Sequence, residues 1–304
     1  MTAPLTIGFI GTGIMGFPMA RHLAQAGYRL QAWNRTPHKA QRLAASGVTV
    51  VAEVQEVVRA ADVLICMLSS GPSCDEVLLG EQGLIAAMRP GALLIVMSSI
   101  PVETARHQAV QATLRGIAYI DAPVSGGEKG ATEATLAIMA GGTPQAYEQA
   151  RPVLEKMGRP THVGPAGSGE LAKLVNQMMV ANTIASVAEA LLLAERGGAD
   201  PAKVREALLG GFADSTILRQ HALRMIAGDF APGGPARYQV KDTSTAIRFA
   251  HSVGLDLPML NQADQLFAAM LEHGDGDLDH SGIIRELRRH NQLAVCVSST
   301  AAVP

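Results

Sequence analysis

Residues 7–36 read IGFIGTGIMGFPMARHLAQAGYRLQAWNRT, and three glycines organise the stretch. Gly11, Gly13 and Gly16 form G-x-G-x-x-G directly after an apolar, strand-like run that ends at Ile10, and they open a helix-like run from Ile14 to Ala26. A strand, a glycine turn and a helix in that order are the context of a dinucleotide-binding turn. Gly11 permits the tight turn, Gly13 lets the backbone approach a pyrophosphate, and Gly16 lets helix and strand pack closely. The helix N-terminus offers free N–H groups and a positive dipole end to phosphates. The loop formed by Gly11, Thr12, Gly13, Ile14, Met15 and Gly16 is therefore expected to bind a dinucleotide cofactor.

The second strand of the stretch bears on which dinucleotide. NAD-binding versions carry an acidic residue about 20 positions downstream, which accepts the ribose 2′-OH. Here no Asp or Glu precedes Glu53, and the strand ends Trp33-Asn34-Arg35-Thr36, with His38, Lys39 and Arg42 beyond. A neutral side chain followed by arginine suits a 2′-phosphate, which a guanidinium meets with a forked, charge-assisted contact. The expected cofactor is NADP(H), with Asn34, Arg35 and Thr36 at the adenine ribose. The competing reading of Arg35 is a solvated surface charge.

Composition narrows the class. At 304 residues the chain has room for two domains. It is 48% apolar and 17% charged, which supplies a core and excludes disorder. A net charge of −2 argues against nucleic acid as the main partner. Cys66, Cys74 and Cys296 show no CxxC, so neither a disulfide framework nor a zinc site is expected, and a reducing, cytoplasmic compartment fits. A strand starting within five residues of Met1 leaves no room for a signal peptide. Leu171 to Ala194 is apolar enough to suggest a membrane span, but Asn176, Gln177, Asn182, Thr183 and Ser186 would be costly in lipid. A helix buried on nearly all sides between domains or subunits is expected instead, and no membrane partner.

From Leu5 to about Gly164 short β-like runs alternate with amphipathic helices. The runs are 6–10, 29–33, 48–51, 63–68, 93–97, 117–121, 135–140 and 161–163. This predicts an α/β domain with a parallel, doubly wound Rossmann-type sheet over 1–164. Beyond Gly164 the pattern is helical only: 170–196, 201–209, 216–226, 237–252, 258–272 and 281–289. An all-α domain over 165–292 is expected, joined by the long helix, with a flexible tail over 293–304. Pro201 and Pro258 sit where first-turn prolines belong, and Gly197-Gly198, Gly210-Gly211 and Gly254 where helices end.

Three further segments carry chemistry. Asp121-Ala122-Pro123-Val124-Ser125-Gly126-Gly127 follows a strand and exposes backbone N–H groups beside a hydroxyl. That grouping can hold a carboxylate, or it is an ordinary glycine-rich turn. In Gly167-Ser168-Gly169-Glu170-Leu171-Ala172-Lys173-Leu174-Val175-Asn176-Gln177, residues Lys173, Asn176 and Gln177 stand at i, i+3 and i+4 on one helix face. A partly desolvated lysine serves as a general acid or base near neutral pH; the plain alternative is a lysine snorkelling from a helix start. Lys241-Asp242, on a later helix, reads by default as surface charge. The nine histidines form no cluster in the sequence, and His280 reads as a helix-start residue. No ligand spacing such as H-E-x-x-H occurs, so no metal is expected.

Taken in order, the glycine turn, DAPVSGG, G-x-G-x-x-x-K-x-x-N-Q and the late KD resemble the β-hydroxyacid dehydrogenase family, from about Ile7 to Asn291. Residues 176–211 and Leu278-Asp279-His280-Ser281 are most similar to its tartronate semialdehyde (2-hydroxy-3-oxopropionate) reductase branch. The resemblance implies an NADP(H)-dependent interconversion of a short semialdehyde carboxylic acid and its β-hydroxy acid by hydride transfer, without a metal. It implies that Lys173 gives a proton to the carbonyl oxygen in reduction and takes it back in oxidation. Ser125, Gly126 and Gly127 would hold the substrate carboxylate, and Asn176 and Gln177 would orient the substrate. Lys241 would lie near the nicotinamide and help close the site, touching both cofactor and substrate. Met67, Leu68, Ser69 and Ser98 would line the cofactor. A homodimer or homotetramer is expected. 3-Hydroxyisobutyrate, glyoxylate and succinic semialdehyde activities are the alternatives within the family; an imine reductase or a non-catalytic NADP-binding sensor lies further off.

Three departures from the family pattern bear on substrate identity. Val96-Met97-Ser98-Ser99 lacks the acidic residue or Ser-Thr pair common there. Phe230-Ala231-Pro232-Gly233-Gly234 lacks a second aromatic, with the unusual Ala236-Arg237-Tyr238 after it. Ala134 stands where glycine is usual.

Overall fold

A computed structural model describes residues 5–59, 61–80 and 82–295. Cys296 and the tail beyond it lie outside the described residues. The chain divides into two compact units between Lys173 and Leu174.

The first unit is built on one nine-stranded sheet. Its strands are β1 (Thr6–Ile10), β2 (Arg29–Trp33), β3 (Thr49–Val50), β4 (Val63–Cys66), β5 (Leu93–Val96), β6 (Ala118–Asp121), β7 (Val124–Ser125), β8 (Leu136–Gly142) and β9 (Gly158–Gly164). The order is β3-β2-β1-β4-β5-β6-β8-β7, with β9 beside β8. Strands β1 to β6 are parallel, with Ile7 opposite both Leu30 and Val63. Chain direction around the sheet therefore switches between β1 and β4, and ligands of such sheets bind outside the carboxyl ends at that point. The strands are apolar on both faces because helices cover both. Ile7 and Phe9 pack with Leu23, Ile65 and Ile95 on one side, and Ile10 packs with Leu64, Leu78 and Leu94 on the other.

The expected parallel, doubly wound sheet is present in β1 to β6, and β8 adds to it a strand antiparallel to both β6 and β7. Apolar alternation is the same for either strand direction, and two-residue β7 is too short to show a period. The helix Gly127–Glu133 closes between β7 and β8 on Ala134, which takes a left-handed conformation with φ 55°. That conformation favours glycine, and alanine costs about 1 kcal/mol there.

The long helix Ser168–Arg196 starts in the first unit and continues through the boundary. The second unit adds the helices Pro201–Leu208, Thr216–Ala227, Ala236–Ser252, Pro258–Glu272 and Ile283–His290, the last entered through a 3-10 turn, His280–Gly282. Pro201 and Pro258 open their helices, and Gly198, Gly210 and Gly254 have positive φ just past helix ends. The core joins Ile184, Ala188 and Leu191 of the long helix to Phe267, Met270, Ile283 and Leu287. Within one copy of the chain the long helix is only partly covered. Only 39% of its most apolar 18-residue window is buried, and Val175, Met179 and Leu193 are exposed. One copy of the chain does not cover all of the apolar surface this helix carries.

Candidate active site

The glycine turn follows β1. A Cβ on Gly11 (φ 91°) would lie 2.1 Å from the Met67 carbonyl oxygen, and one on Gly16 would lie 1.9 Å from that of Gly11. Both glycines are thus demanded by the chain's packing on itself. Gly13 is not: no atom lies within 4 Å of its Cβ position. A glycine that the chain does not need for its own packing fits close approach by a ligand. Beside it Thr12 is buried, with its hydroxyl unpartnered among the described residues. Met15 caps the helix Gly16–Gln25 without a side-chain hydrogen bond, and the first turn holds no acidic residue. Orphan donors, a dipole end and an open glycine form a donor set that fits a pyrophosphate. An adjoining cleft of about 410 Å³ is lined by Thr12, Gly13 and Ile14 together with Arg21, Lys39 and Arg42.

Asn34 braces this turn. Its Oδ1 accepts from the Thr12 N–H at 2.9 Å and its Nδ2 donates to the Thr36 carbonyl at 3.0 Å. The side chain at the end of β2 is thereby spent on the protein, and Arg35 is left exposed beside it. Met67 and Leu68 are half-buried after β4, and Ser69 is exposed. Ser98, expected to line the cofactor, has a structural partner of its own in the loop after β4. It is fully buried, its Oγ accepting from the Leu68 N–H at 2.6 Å and donating to the Cys66 carbonyl at 3.4 Å. Its hydroxyl holds the loop after β4 in place. The thiols of Cys66 and Cys74 touch there at 3.9 Å, both buried and free.

Lys173 lies on the first two turns of the long helix. Its Nζ donates to the Val124 carbonyl at 2.9 Å, which sets the ammonium beside the turn Ser125-Gly126-Gly127. Gly126 (φ 138°) and Gly127 (φ 60°) are exposed, and their conformations favour glycine. Asp121, the residue that sequence reasoning quoted without a role, positions this helix. Buried at the end of β6, it accepts from the Gly167 N–H at 2.7 Å and from the Glu170 N–H at 2.9 Å. Burial pushes its carboxyl up, and these N–H groups pull it back. Gly169 is held so tightly to the sheet that a Cβ would meet the Met139 and Asp121 carbonyl oxygens at 2.3 and 2.5 Å.

In the second unit Asn176 Nδ2 donates to Gln177 Oε1 at 2.8 Å, and Gln177 Nε2 donates to Asp242 Oδ2 at 2.6 Å. The carboxylate, an acceptor only, fixes which way the Gln177 amide points. Lys241 is half-exposed, with Nζ 3.4 Å from Asp242. The weak KD signal therefore marks a network with Gln177, which spacing along the sequence could not show.

The histidines do form one pair, against expectation. His221 and His280 are separated in sequence, but their Nε2 atoms lie 2.8 Å apart. Gly234 explains the missing aromatic: a Cβ there would meet the His280 ring at 3.2 Å. Asp279 brings a carboxylate within 4.8 Å of both imidazoles. Its oxygens already accept from the N–H groups of Gly233, Gly234 and Ser281 and from the Ser281 hydroxyl. The trio is a brace for the loop before the Lys241 helix. Burial pushes His280 down to about 4 and lowers His221 as well. A depressed base is stabilising when neutral, so stability is full above the unfolded value of about 6.5 and is lost as pH falls toward 4. The expected loss at pH 4 is on the order of 3 kcal/mol for His280. Urea unfolding across that window should show the slope, and His280→Asn should flatten it; a wild-type protein equally stable at pH 7 and pH 4 would contradict the account.

Comparison with known proteins identifies the family. Residues 6–167 match the family model for the NAD binding domain of 6-phosphogluconate dehydrogenase, and residues 167–287 match that described as NAD-binding of NADP-dependent 3-hydroxyisobutyrate dehydrogenase. The chain is 42% identical over 294 residues to 2-hydroxy-3-oxopropionate reductase of Escherichia coli (strain K12), covering 95% of this chain and 100% of the relative. It is 34% identical to 3-hydroxyisobutyrate dehydrogenase of Pseudomonas aeruginosa, covering 91% of this chain and 95% of the relative. The solved structure of Mycobacterium tuberculosis 3-hydroxyisobutyrate dehydrogenase with L-serine superposes with a TM-score of 0.86 at 34% identity, covering 94% of this chain and 100% of that one. Glycine turn, lysine helix and full-length similarity together make the chain a member of the β-hydroxyacid dehydrogenase family, NAD(P)-dependent oxidoreductases acting on CH–OH groups.

Proposed function

We propose that this enzyme is an NADP(H)-dependent reductase of short semialdehyde carboxylic acids, with tartronate semialdehyde (2-hydroxy-3-oxopropionate) as its substrate. One observation carries the reading: the Lys173 ammonium is anchored on Val124, next to the Ser125-Gly126-Gly127 turn, whose two glycines are exposed. A proton donor thus sits beside groups suited to a carboxylate, which matches a substrate with a carbonyl a bond or two from its acid. The 42% identity to an enzyme named for 2-hydroxy-3-oxopropionate supports the choice within the family.

A bound nicotinamide supplies the hydride chemistry; the chain's own residues bind, orient and handle the proton. The glycine turn, Thr12 and the helix N-terminus hold the pyrophosphate, and Arg35 and Thr36 hold the 2′-phosphate. The loop Met67-Leu68-Ser69 lines the cofactor, and Ser98 acts by fixing that loop. Ser125 and the backbone of Gly126 and Gly127 hold the substrate carboxylate. Lys173 gives its proton to the carbonyl oxygen in reduction and recovers it in oxidation. Asn176, Gln177 and Lys241 are assigned to the substrate, with Lys241 also serving the cofactor. A cytoplasmic homodimer or homotetramer is the assembly we favour, supported by the free thiols and by the exposed apolar residues of the long helix.

The test is oxidation of NADPH and of NADH with tartronate semialdehyde, 3-hydroxyisobutyrate's aldehyde, succinic semialdehyde and glyoxylate. Turnover fastest with tartronate semialdehyde and NADPH supports the reading; a different aldehyde in front reassigns the substrate. Arg35→Ser should lower kcat/KM for NADPH by roughly tenfold to a hundredfold and leave NADH unchanged, since a charge-assisted contact is worth about 1.5–3 kcal/mol. Equal effects on both cofactors would remove Arg35 from 2′-phosphate recognition.

A further inference from the structure

Glu170 has no part in the chemistry assigned so far. It is 1% exposed and lies three residues before Lys173, which places it one helical turn earlier on the same face. Its backbone N–H is held by Asp121, and its Oε1 is buried with no hydrogen-bond partner among the described residues. The motif Gly167-x-Gly169-x-x-x-Lys173 leaves position 170 open, and this chain fills it with a carboxyl.

The groups around it define its behaviour. Asp121 and Tyr119 approach from β6, Cys74 from the helix Gly71–Leu79, the Ile100 N–H from the loop after β5, and Lys173 from its own helix. Cys66 faces the same Tyr119. Among these groups Lys173 is the cation. Two carboxyls share the pocket, and Asp121 has the N–H groups that stabilise a charge. Burial first, and then the Asp121 charge, hold Glu170 well above the usual carboxylate range; the Ile100 N–H and the Lys173 ammonium pull the other way. A buried oxygen without a donor favours the protonated form independently of that balance.

We propose that Glu170 is a positioning residue that acts through Lys173, setting the pH range over which Lys173 keeps the proton it gives to the substrate. The proposal rests on Lys173 being the general acid. While Glu170 is uncharged it adds no charge that holds the Lys173 proton back from a carbonyl oxygen. As pH rises Glu170 ionises, and the new negative charge one turn away retains the proton on Lys173. The two groups titrate as a pair, and the pair extends reduction into alkaline solution.

The experiment is the pH profile of kcat for aldehyde reduction in wild type, Glu170→Gln and Lys173→Ala. In Glu170→Gln the alkaline limb should move down by about one pH unit, with KM unchanged and kcat near pH 7 within about twofold. The variant should also lose part of the wild type's decline in stability above about pH 4.5, because a raised carboxyl costs stability as pH climbs toward its folded value. Superimposable profiles for Glu170→Gln and wild type, with Lys173→Ala inactive, would overturn the inference alone. An active Lys173→Ala would instead overturn the general-acid reading beneath it. Should Glu170→Gln fail to fold, the infrared C=O band of the protonated carboxyl decides. In Lys173→Met that band should persist to higher pH than in wild type, and an unmoved band overturns the proposal.

Discussion

Lys173→Ala is expected to lower kcat for aldehyde reduction by roughly a hundredfold to ten-thousandfold, the range a positioned general acid supplies. The dissociation constant of the dinucleotide should stay within about twofold, because Lys173 lies outside the glycine turn and touches Val124. The fold should survive, since the half-buried hydrogen bond to Val124 that the variant gives up is worth about 1 kcal/mol. The helix start is held independently by Asp121 and by the close packing of Gly169 on the sheet. Lys173→Arg should not restore the rate: a guanidinium keeps its proton at any working pH and cannot act as the donor. Single-turnover kinetics with NADPH, paired with fluorescence titration of the cofactor, reads both quantities. A Lys173→Ala enzyme within threefold of wild type would end the general-acid assignment. Tight coupling of lost turnover to lost cofactor binding would move Lys173 from chemistry to binding.

The fold was legible where period and punctuation agree. The strand Thr6–Ile10, the glycine turn and the helix after it are each set by local residues, and so are the prolines and glycines that bound the later helices. Direction and partnership were not legible. The antiparallel β8 has the same alternation as a parallel strand, and Asp121 reads as one more residue at a strand end until the helix start closes on it. The link from Gln177 to Asp242 and the contact of His221 with His280 join residues 65 and 59 positions apart. No sequence period spans such distances. Gly234 is the instructive middle case. Its departure from the family pattern was visible, but its cause, the imidazole of His280 against its Cα, required the packing. The hydroxyl of Ser98 was likewise visible as a polar group after β5, while its burial beneath Leu68 was not.

The three glycines of the turn should separate by mutation into two classes. Gly11→Ala places a Cβ 2.1 Å from the Met67 carbonyl oxygen at a residue with φ 91°, and Gly16→Ala places one 1.9 Å from the Gly11 carbonyl oxygen. Backbone lies on the far side of both contacts, so neither can be relieved by turning a side chain. Each variant is expected to lose on the order of 3 kcal/mol or more, or to fail to fold, through overlap, with left-handed strain added at Gly11. Gly13→Ala meets nothing within 4 Å and its φ is not in the left-handed region. Its thermal midpoint should equal or slightly exceed that of wild type, since alanine restricts the unfolded chain. Its affinity for NADPH should nevertheless fall by on the order of a hundredfold, about 2.7 kcal/mol, because the added methyl occupies the approach of the pyrophosphate. Thermal unfolding with and without NADPH measures both effects on one sample: cofactor should raise the midpoint of wild type and leave that of Gly13→Ala in place. A Gly13→Ala protein that binds NADPH as wild type does would show that the open space over the turn is not where the phosphates lie. One that unfolds would show that Gly13, too, serves the fold.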